Sequence, residues 1–158
     1  MKKILEKLFL LCLVAGLVAC DEDNDGFGGG DDGGESFANV CYVLNSGDWQ
    51  SSNSSLTKYD LSTGATVSNY FEAQNGRCLG NTANDILVYG SKMYIAVSGE
   101  STIEITSLDA KSIKQIRCAG QPRYLASDGD KVYATYYDGR VARIDTASLE
   151  VDAVVNVG

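Results

Sequence analysis

A seven-residue stretch occurs twice in this chain, as Gly90-Ser91-Lys92-Met93-Tyr94-Ile95-Ala96 and Gly129-Asp130-Lys131-Val132-Tyr133-Ala134-Thr135, with the two glycines 39 positions apart. Gly, Lys and Tyr hold the same places in both copies, in the pattern Gly-x-Lys-apolar-Tyr. A period near 40 is the mark of a repeat architecture, in which each unit leaves an apolar face that only its neighbour can cover.

The similarity runs on past each Tyr. Val141 to Leu149 lines up with Ile105 to Ile113 and with Leu56 to Gly64, and each segment carries an apolar residue followed by Asp (Asp145, Asp109, Asp60) and then a Ser or Thr. Val40-Cys41-Tyr42-Val43-Leu44 supplies the tyrosine segment of a further copy. The apolar runs are four to eight residues long, rich in β-branched and aromatic residues and punctuated by Asp, Gly and Ser, which predicts strands rather than helices. Four strands in about 40 residues is the spacing of a β-propeller blade. The expected fold is therefore all-β, a β-propeller of four-stranded blades. The first blade is placed at Val40 to Phe71 without its first strand, the second at Asp85 to Arg117 and the third at Pro122 to Gly158. About three blades are too few to close a ring, so the chain is expected to be part of a seven- or eight-bladed parent, with assembly of several copies as the alternative.

The start of the chain reads differently. Lys2, Lys3 and Lys7 precede the apolar run Leu8 to Val18, too short to span a bilayer, and the run ends Leu17-Val18-Ala19-Cys20. This resembles a bacterial lipobox, which implies a signal peptide over 1–19, lipidation at Cys20 and a membrane anchor without a spanning helix. Residues 20–36 add seven acids, no bases and a Gly run, the composition of an acidic tether. Asp21 to Gly26 matches the opening of a calcium loop, but the glycines that follow and the Asp at its twelfth place argue against a metal. Acids directly after a lipidated Cys resemble the surface-export signal of Bacteroidota lipoproteins, which implies a location on the outer membrane facing the medium.

Residues 37–158 hold 13 acids and 10 bases, a balance without the basic face that a nucleic-acid partner requires. The chain contains no His and no Gly-x-Ser-x-Gly elbow, so the expectation is a non-enzyme with no catalytic residues, no metal and no cofactor. Arg77-Cys78-Leu79-Gly80 recurs as Arg117-Cys118-Ala119-Gly120. A disulfide between blades, a pair of soft metal ligands and buried unpaired thiols are the three readings of Cys78 and Cys118, and the last is favoured because equivalent places in adjacent blades lie too far apart to bridge. Tyr42, Tyr94 and Tyr133 read as blade packing. Asp60, Asp109 and Asp145 read as acceptors for turn N–H groups.

In an up-and-down blade the loops between strands two and three emerge with the connections between blades. This sorts 45–55, 98–101, 136–139, 72–84 and 118–123 onto one face. Trp49, the only Trp, stands there in a polar loop with no apolar neighbours in sequence. An exposed aromatic on a rigid scaffold is a natural contact for a planar or sugar-like ligand, and packing over the blade edge is the alternative. Arg77 and Arg123 can meet an anionic group or tie loop carbonyls. Tyr136 and Tyr137 alternate, so one of the pair turns into the blade packing. The ligand-binding candidates are Trp49, Arg77, Arg123 and Tyr136.

Tyr42-Val43-Leu44-Asn45-Ser46-Gly47, Tyr59-Asp60 with Thr63-Gly64, Asn75-Gly76-Arg77 with Leu79-Gly80, and Gly120-Gln121-Pro122-Arg123-Tyr124 together resemble the YncE-like (DUF5074) β-propeller surface lipoproteins of Bacteroidota. Relatives of that kind include cobalamin-binding proteins that hand vitamin B12 to a TonB-dependent outer-membrane transporter. The resemblance implies a surface propeller that binds a small ligand, a corrinoid foremost, with the outer membrane and such a transporter as partners. A structural or protein-interaction propeller of the envelope and a glycan-binding surface protein are the alternatives.

Overall fold

Eleven strands and one short helix make up the computed structural model, which describes residues 37–158. The signal peptide, Cys20, the tether and the calcium-like motif lie outside the described residues. The strands form three antiparallel sheets, each a meander in which consecutive strands pair. The first sheet holds β1 (Val40–Asn45), β2 (Ser55–Asp60) and β3 (Thr66–Val67). The second holds β4 (Ala83–Tyr89), β5 (Lys92–Val97), β6 (Thr102–Ser107) and β7 (Ser112–Arg117). The third holds β8 (Pro122–Asp128), β9 (Lys131–Tyr136), β10 (Arg140–Asp145) and β11 (Val151–Asn156). These are blades of a β-propeller, two of four strands and a first of three.

The repeat sets the register. Gly90 and Gly129 close the β4–β5 and β8–β9 hairpins at φ of 60° and 57°, a left-handed conformation that glycine adopts without a steric penalty. Tyr94 then pairs with Ile105, Tyr133 with Arg143 and Tyr42 with Lys58. All three tyrosines therefore sit at one place in the blade. Tyr42 packs on the seam between the first and second blades, and Tyr94 on the seam between the second and third.

Each seam is apolar. Leu56, Phe71 and Leu79 meet Met93, Ile95 and Val97 in the first. Tyr94, Ile103 and Ile105 meet Val132, Ala134 and Ile144 in the second. Strand β5 sends alternate side chains to opposite seams, and from Met93 to Val97 every one is fully buried. Hydroxyls reach across both seams: Tyr42 donates to the Leu108 carbonyl, and Tyr89 donates to the Gly129 carbonyl. In the middle of β8, the Leu125 N–H donates to Asp85 Oδ2 at 2.7 Å, tying β8 to β4.

The first blade departs from the expectation. Its fourth strand does not continue to Phe71: β3 ends at Val67, and α1 (Tyr70–Asn75) follows. Asn69 turns the chain at φ 53°, and the helix buries Tyr70 and Phe71 against the second blade. Its last residue is pinned there, because Asn75 Nδ2 donates to the Ala110 carbonyl at 2.8 Å and the Ser112 N–H donates to Asn75 Oδ1 at 2.8 Å. Burying both aromatics is what a strand running to Phe71, with alternating faces, would not achieve.

A second departure concerns the turn acids. Asp60 Oδ1 accepts the N–H groups of Ser62 and Thr63, and Asp145 Oδ1 accepts those of Ala147 and Ser148. The residue at the same register in the second blade is Ser107, not Asp109, since Lys92 pairs with Ser107 as Lys131 pairs with Asp145. Asp109 takes the Ser107 hydroxyl and the Lys111 ammonium instead. The second blade makes this turn in fewer residues, closing with Ala110 N–H on the Ser107 carbonyl, where the other two close four residues on at Gly64 and Leu149.

Candidate functional site

The loops that alternate strand direction assigns to one end do meet there, and hydrogen bonds join them into a ridge. The Ser54 N–H donates to the Gly80 carbonyl at 2.9 Å and the Ala83 N–H to the Ser46 carbonyl at 3.1 Å, binding the β1–β2 loop to the segment ahead of β4. That segment reaches the β5–β6 loop through Ser98 N–H on the Thr82 carbonyl and Gly99 N–H on the Asn81 carbonyl. The third blade is reached from both: the Ser98 hydroxyl of the β5–β6 loop donates to the Pro122 carbonyl, and Asn84 Nδ2 at the start of β4 donates to the Tyr137 hydroxyl at 3.2 Å. A side chain at Gly99 would place a Cβ 2.0 Å from Asn81 Oδ1, so only glycine allows this approach.

Trp49 sits at one end of the ridge and is 58% exposed. Its loop is braced by Asp48, whose Oδ1 accepts the Gln50 and Ser51 N–H groups at 2.9 and 2.7 Å while Oδ2 accepts Asn53 Nδ2 at 3.2 Å. The Gln50 N–H foremost, against a smaller opposing effect of desolvation, holds the Asp48 carboxyl below its usual range. The Trp49 carbonyl accepts Asn81 Nδ2 at 3.0 Å. The indole is thus displayed on an ordered loop rather than packed over the blade edge.

Arg123 sits at the other end. Its guanidinium lies 4.8 Å from the Tyr124 ring centroid and 5.0 Å from that of Tyr137, and both tyrosines are more than half exposed. Such stacking orients the cation while leaving its donors free for an incoming group. Neither Tyr124 nor Tyr137 is one of the four ligand-binding candidates read from the sequence, although Tyr137 is the outward partner in its alternation with Tyr136. The signal for Tyr137 was its alternation with Tyr136, and for Tyr124 its place at a strand start next to Arg123.

The other two candidates are engaged by the blades, Tyr136 by burial and Arg77 by an ion pair. Tyr136 is only 6% exposed and packs in the seam between the second and third blades, where its hydroxyl meets Cys118. Burial, with the Cys118 thiol beside it, raises the Tyr136 hydroxyl well above its ordinary value, and burial raises the Cys118 thiol as well. Arg77 is committed to a buried carboxylate. Its Nη2 donates to Glu104 Oε1 at 2.7 Å and to Ser112 Oγ at 3.1 Å, while the guanidinium stacks 4.8 Å from the Phe71 ring. Glu104 has no exposed surface and also accepts the Ser112 hydroxyl and Gln115 Nε2. Arg77 is therefore a clasp between α1 and the second blade.

Cys41, Cys78 and Cys118 are free thiols. The expectation of burial fails at Cys78, which is exposed: the shortened first blade leaves its flank open, whereas Cys118 is partly covered by Tyr136.

No protein-family model matches the chain, and no curated protein matches it in sequence. Solved structures do share its fold. The computationally designed Ika8 protein aligns over 76% of this chain and 34% of its own, at 10% identity and a TM-score of 0.58. The nidogen/laminin complex aligns over 75% and 43%, at 14% identity and 0.55, and hydrazine synthase of Kuenenia stuttgartiensis over 66% and 30%, at 16% identity and 0.54. At such identities the likeness is one of fold. The chain spans less than half the length of each of these structures.

Proposed function

We propose that this chain belongs to a cell-surface propeller lipoprotein that captures a small ligand, a corrinoid foremost, on the end that carries Trp49 and Arg123, for delivery to a TonB-dependent outer-membrane transporter. One observation carries the reading: exposed aromatic groups and an oriented guanidinium stand on a ridge whose backbone is already hydrogen-bonded. Flat rings suit a flat macrocycle, the guanidinium suits an anionic or amide substituent, and a braced loop loses little freedom on binding. Lipidation of Cys20 supplies the anchor, and the acidic tether supplies reach from the membrane.

Calorimetry of the full chain with cyanocobalamin tests the ligand. Heat on mixing and pink colour retained through gel filtration are expected, and Trp49→Ala or Arg123→Ala should weaken binding by about tenfold, equivalent to ~1.4 kcal/mol. No heat and a colourless protein would remove the corrinoid. Replacing Cys20 with Ser tests the anchor, since the chain should then leave the membrane fraction. Trp, Tyr and Arg are also the residue types that dominate protein interfaces, which favours a protein-interaction propeller as the second reading. Under it, Trp49→Ala would abolish pull-down of an envelope protein while cyanocobalamin gives no heat with either chain.

A further inference from the structure

The break in the repeat at the first blade opens a cleft. Where the other blades continue as fourth strands of six residues, β3 has two, and the chain turns at Asn69 into α1. Between the start of α1 and the end of the β1–β2 loop lies a cavity of about 240 Å³. Phe71 and Leu79, 1% and 3% exposed, form its floor. Ser52, Asn69, Glu72 and Cys78 stand around it, and none of these four side chains has a hydrogen-bond partner among the described residues.

We propose that this cleft is a binding site, separate from the aromatic ridge, for a single neutral sugar ring or its amino counterpart. The argument is one of size and chemistry. The volume equals that of about eight liquid waters and falls below the ~300–1,000 Å³ of drug-sized pockets, so a macrocycle is excluded and a single ring fits. A hydroxyl, a carboxamide and a carboxylate are the groups that recognise vicinal hydroxyls, by accepting and donating in turn. The apolar floor suits the C–H face of a sugar. Glu72 is the only charged group among the lining residues, and the nearby Arg77 is spent on Glu104, so the site disfavours anions. Asn53 borders the cleft and also braces the Trp49 loop through Asp48, so the two sites are told apart by Trp49→Ala, which removes the indole and leaves Asn53 in place.

Cys78 gives the test its reporter. In the full chain, alkylation of Cys78 by iodoacetamide is followed by peptide mass spectrometry, with exposed Cys41 as internal control. Glucose, N-acetylglucosamine and glucosamine are the probes, with acetate and phosphate as anion controls. At a concentration about nine times the dissociation constant, a bound sugar slows Cys78 alkylation ~10-fold and leaves Cys41 unchanged. Protection should be lost in the Ser52→Ala/Glu72→Gln double variant and kept in Trp49→Ala. The proposal fails if none of the sugars protects Cys78, if acetate or phosphate protects it as well, if Cys41 slows in parallel, or if the double variant is protected like the native chain.

Discussion

The second and third blades share one strand order and one register, yet water treats them differently. Tyr94, Ala96, Ile103 and Ile105 on the second blade are fully buried against the third. The residues in the same places on the third blade are Tyr133, Thr135, Val141 and Arg143, and none of them is buried. There, Lys131, Asp145, Arg143 and Asp152 form a network, with Lys131 Nζ bound to Asp145 and Arg143 Nε 2.7 Å from Asp152 Oδ1. The repeat thus specifies where a strand lies and what it pairs with. The neighbour specifies how apolar its faces are: a sheet covered on both sides reads as a nearly continuous apolar run, and one covered on a single side alternates. The uncovered face of the third blade is therefore not the greasy surface that the repeat alone would suggest.

The comparison is most exposed to failure at Ile103 and Val141, which occupy the same place. Ile103→Ala should lower unfolding stability by about 3–4 kcal/mol and Val141→Ala by less than ~1 kcal/mol, measured by chemical denaturation. Equal losses would mean that the third blade is covered in solution. Next in size is the clasp. Arg77→Ala leaves the Glu104 carboxylate buried with only Ser112 and Gln115, at a cost of about 3 kcal/mol, and adding Glu104→Gln should restore part of it.

The tyrosines of the repeat sharpen the comparison with changes of opposite sign. Tyr42→Phe loses the bond to the Leu108 carbonyl and should destabilise by ~1 kcal/mol. The Tyr94 hydroxyl is buried without a hydrogen-bond partner among the described residues, so Tyr94→Phe should be neutral or stabilise by up to ~1 kcal/mol, and Tyr133→Phe should change nothing. The turn acids give an effect that depends on pH. The Lys131 hydrogen bond foremost, then the Ser148 N–H, hold the Asp145 carboxyl far below its usual range. A group with a depressed folded pKa stabilises above its unfolded value of about 3.9 and loses that contribution as pH falls through the folded one. Asp145→Asn should therefore flatten the acid limb of a stability–pH curve. Ser107→Ala, at the equivalent place in the second blade, should leave that limb as it was.

The blades were legible because Gly-x-Lys-apolar-Tyr fixes a hairpin and a packing tyrosine together, two local signals that agree. The loop end was legible too, since strand alternation decides which connections share an end. Helix α1 was not. Six residues are too few for local sequence to specify a helix, and what holds this one is the docking of Phe71 and Asn75 on a sheet distant in sequence. The Arg77–Glu104 pair was hidden for a related reason. Glu104 alternates with Ile103 and Ile105, so it reads as a solvent-facing position, whereas it pairs with Ile95 on the face that the first blade and α1 cover together. The two-residue shift at Asp109 escaped because an Asp in a polar turn looks the same whether it caps the turn or pairs with a neighbouring lysine.

The carboxylate under Arg77 also bears on how such a chain can be rearranged by recombination. A tandem copy of the second blade, inserted after itself, could match its own strands and much of its own apolar surface. It would also carry a second Glu104 into a junction that lacks α1, the helix that leads Arg77 onto this carboxylate in the native seam. Modules that resemble one another are in this way made non-interchangeable by a single ionised group, and the linear order of the sheets is written into the chemistry of one seam.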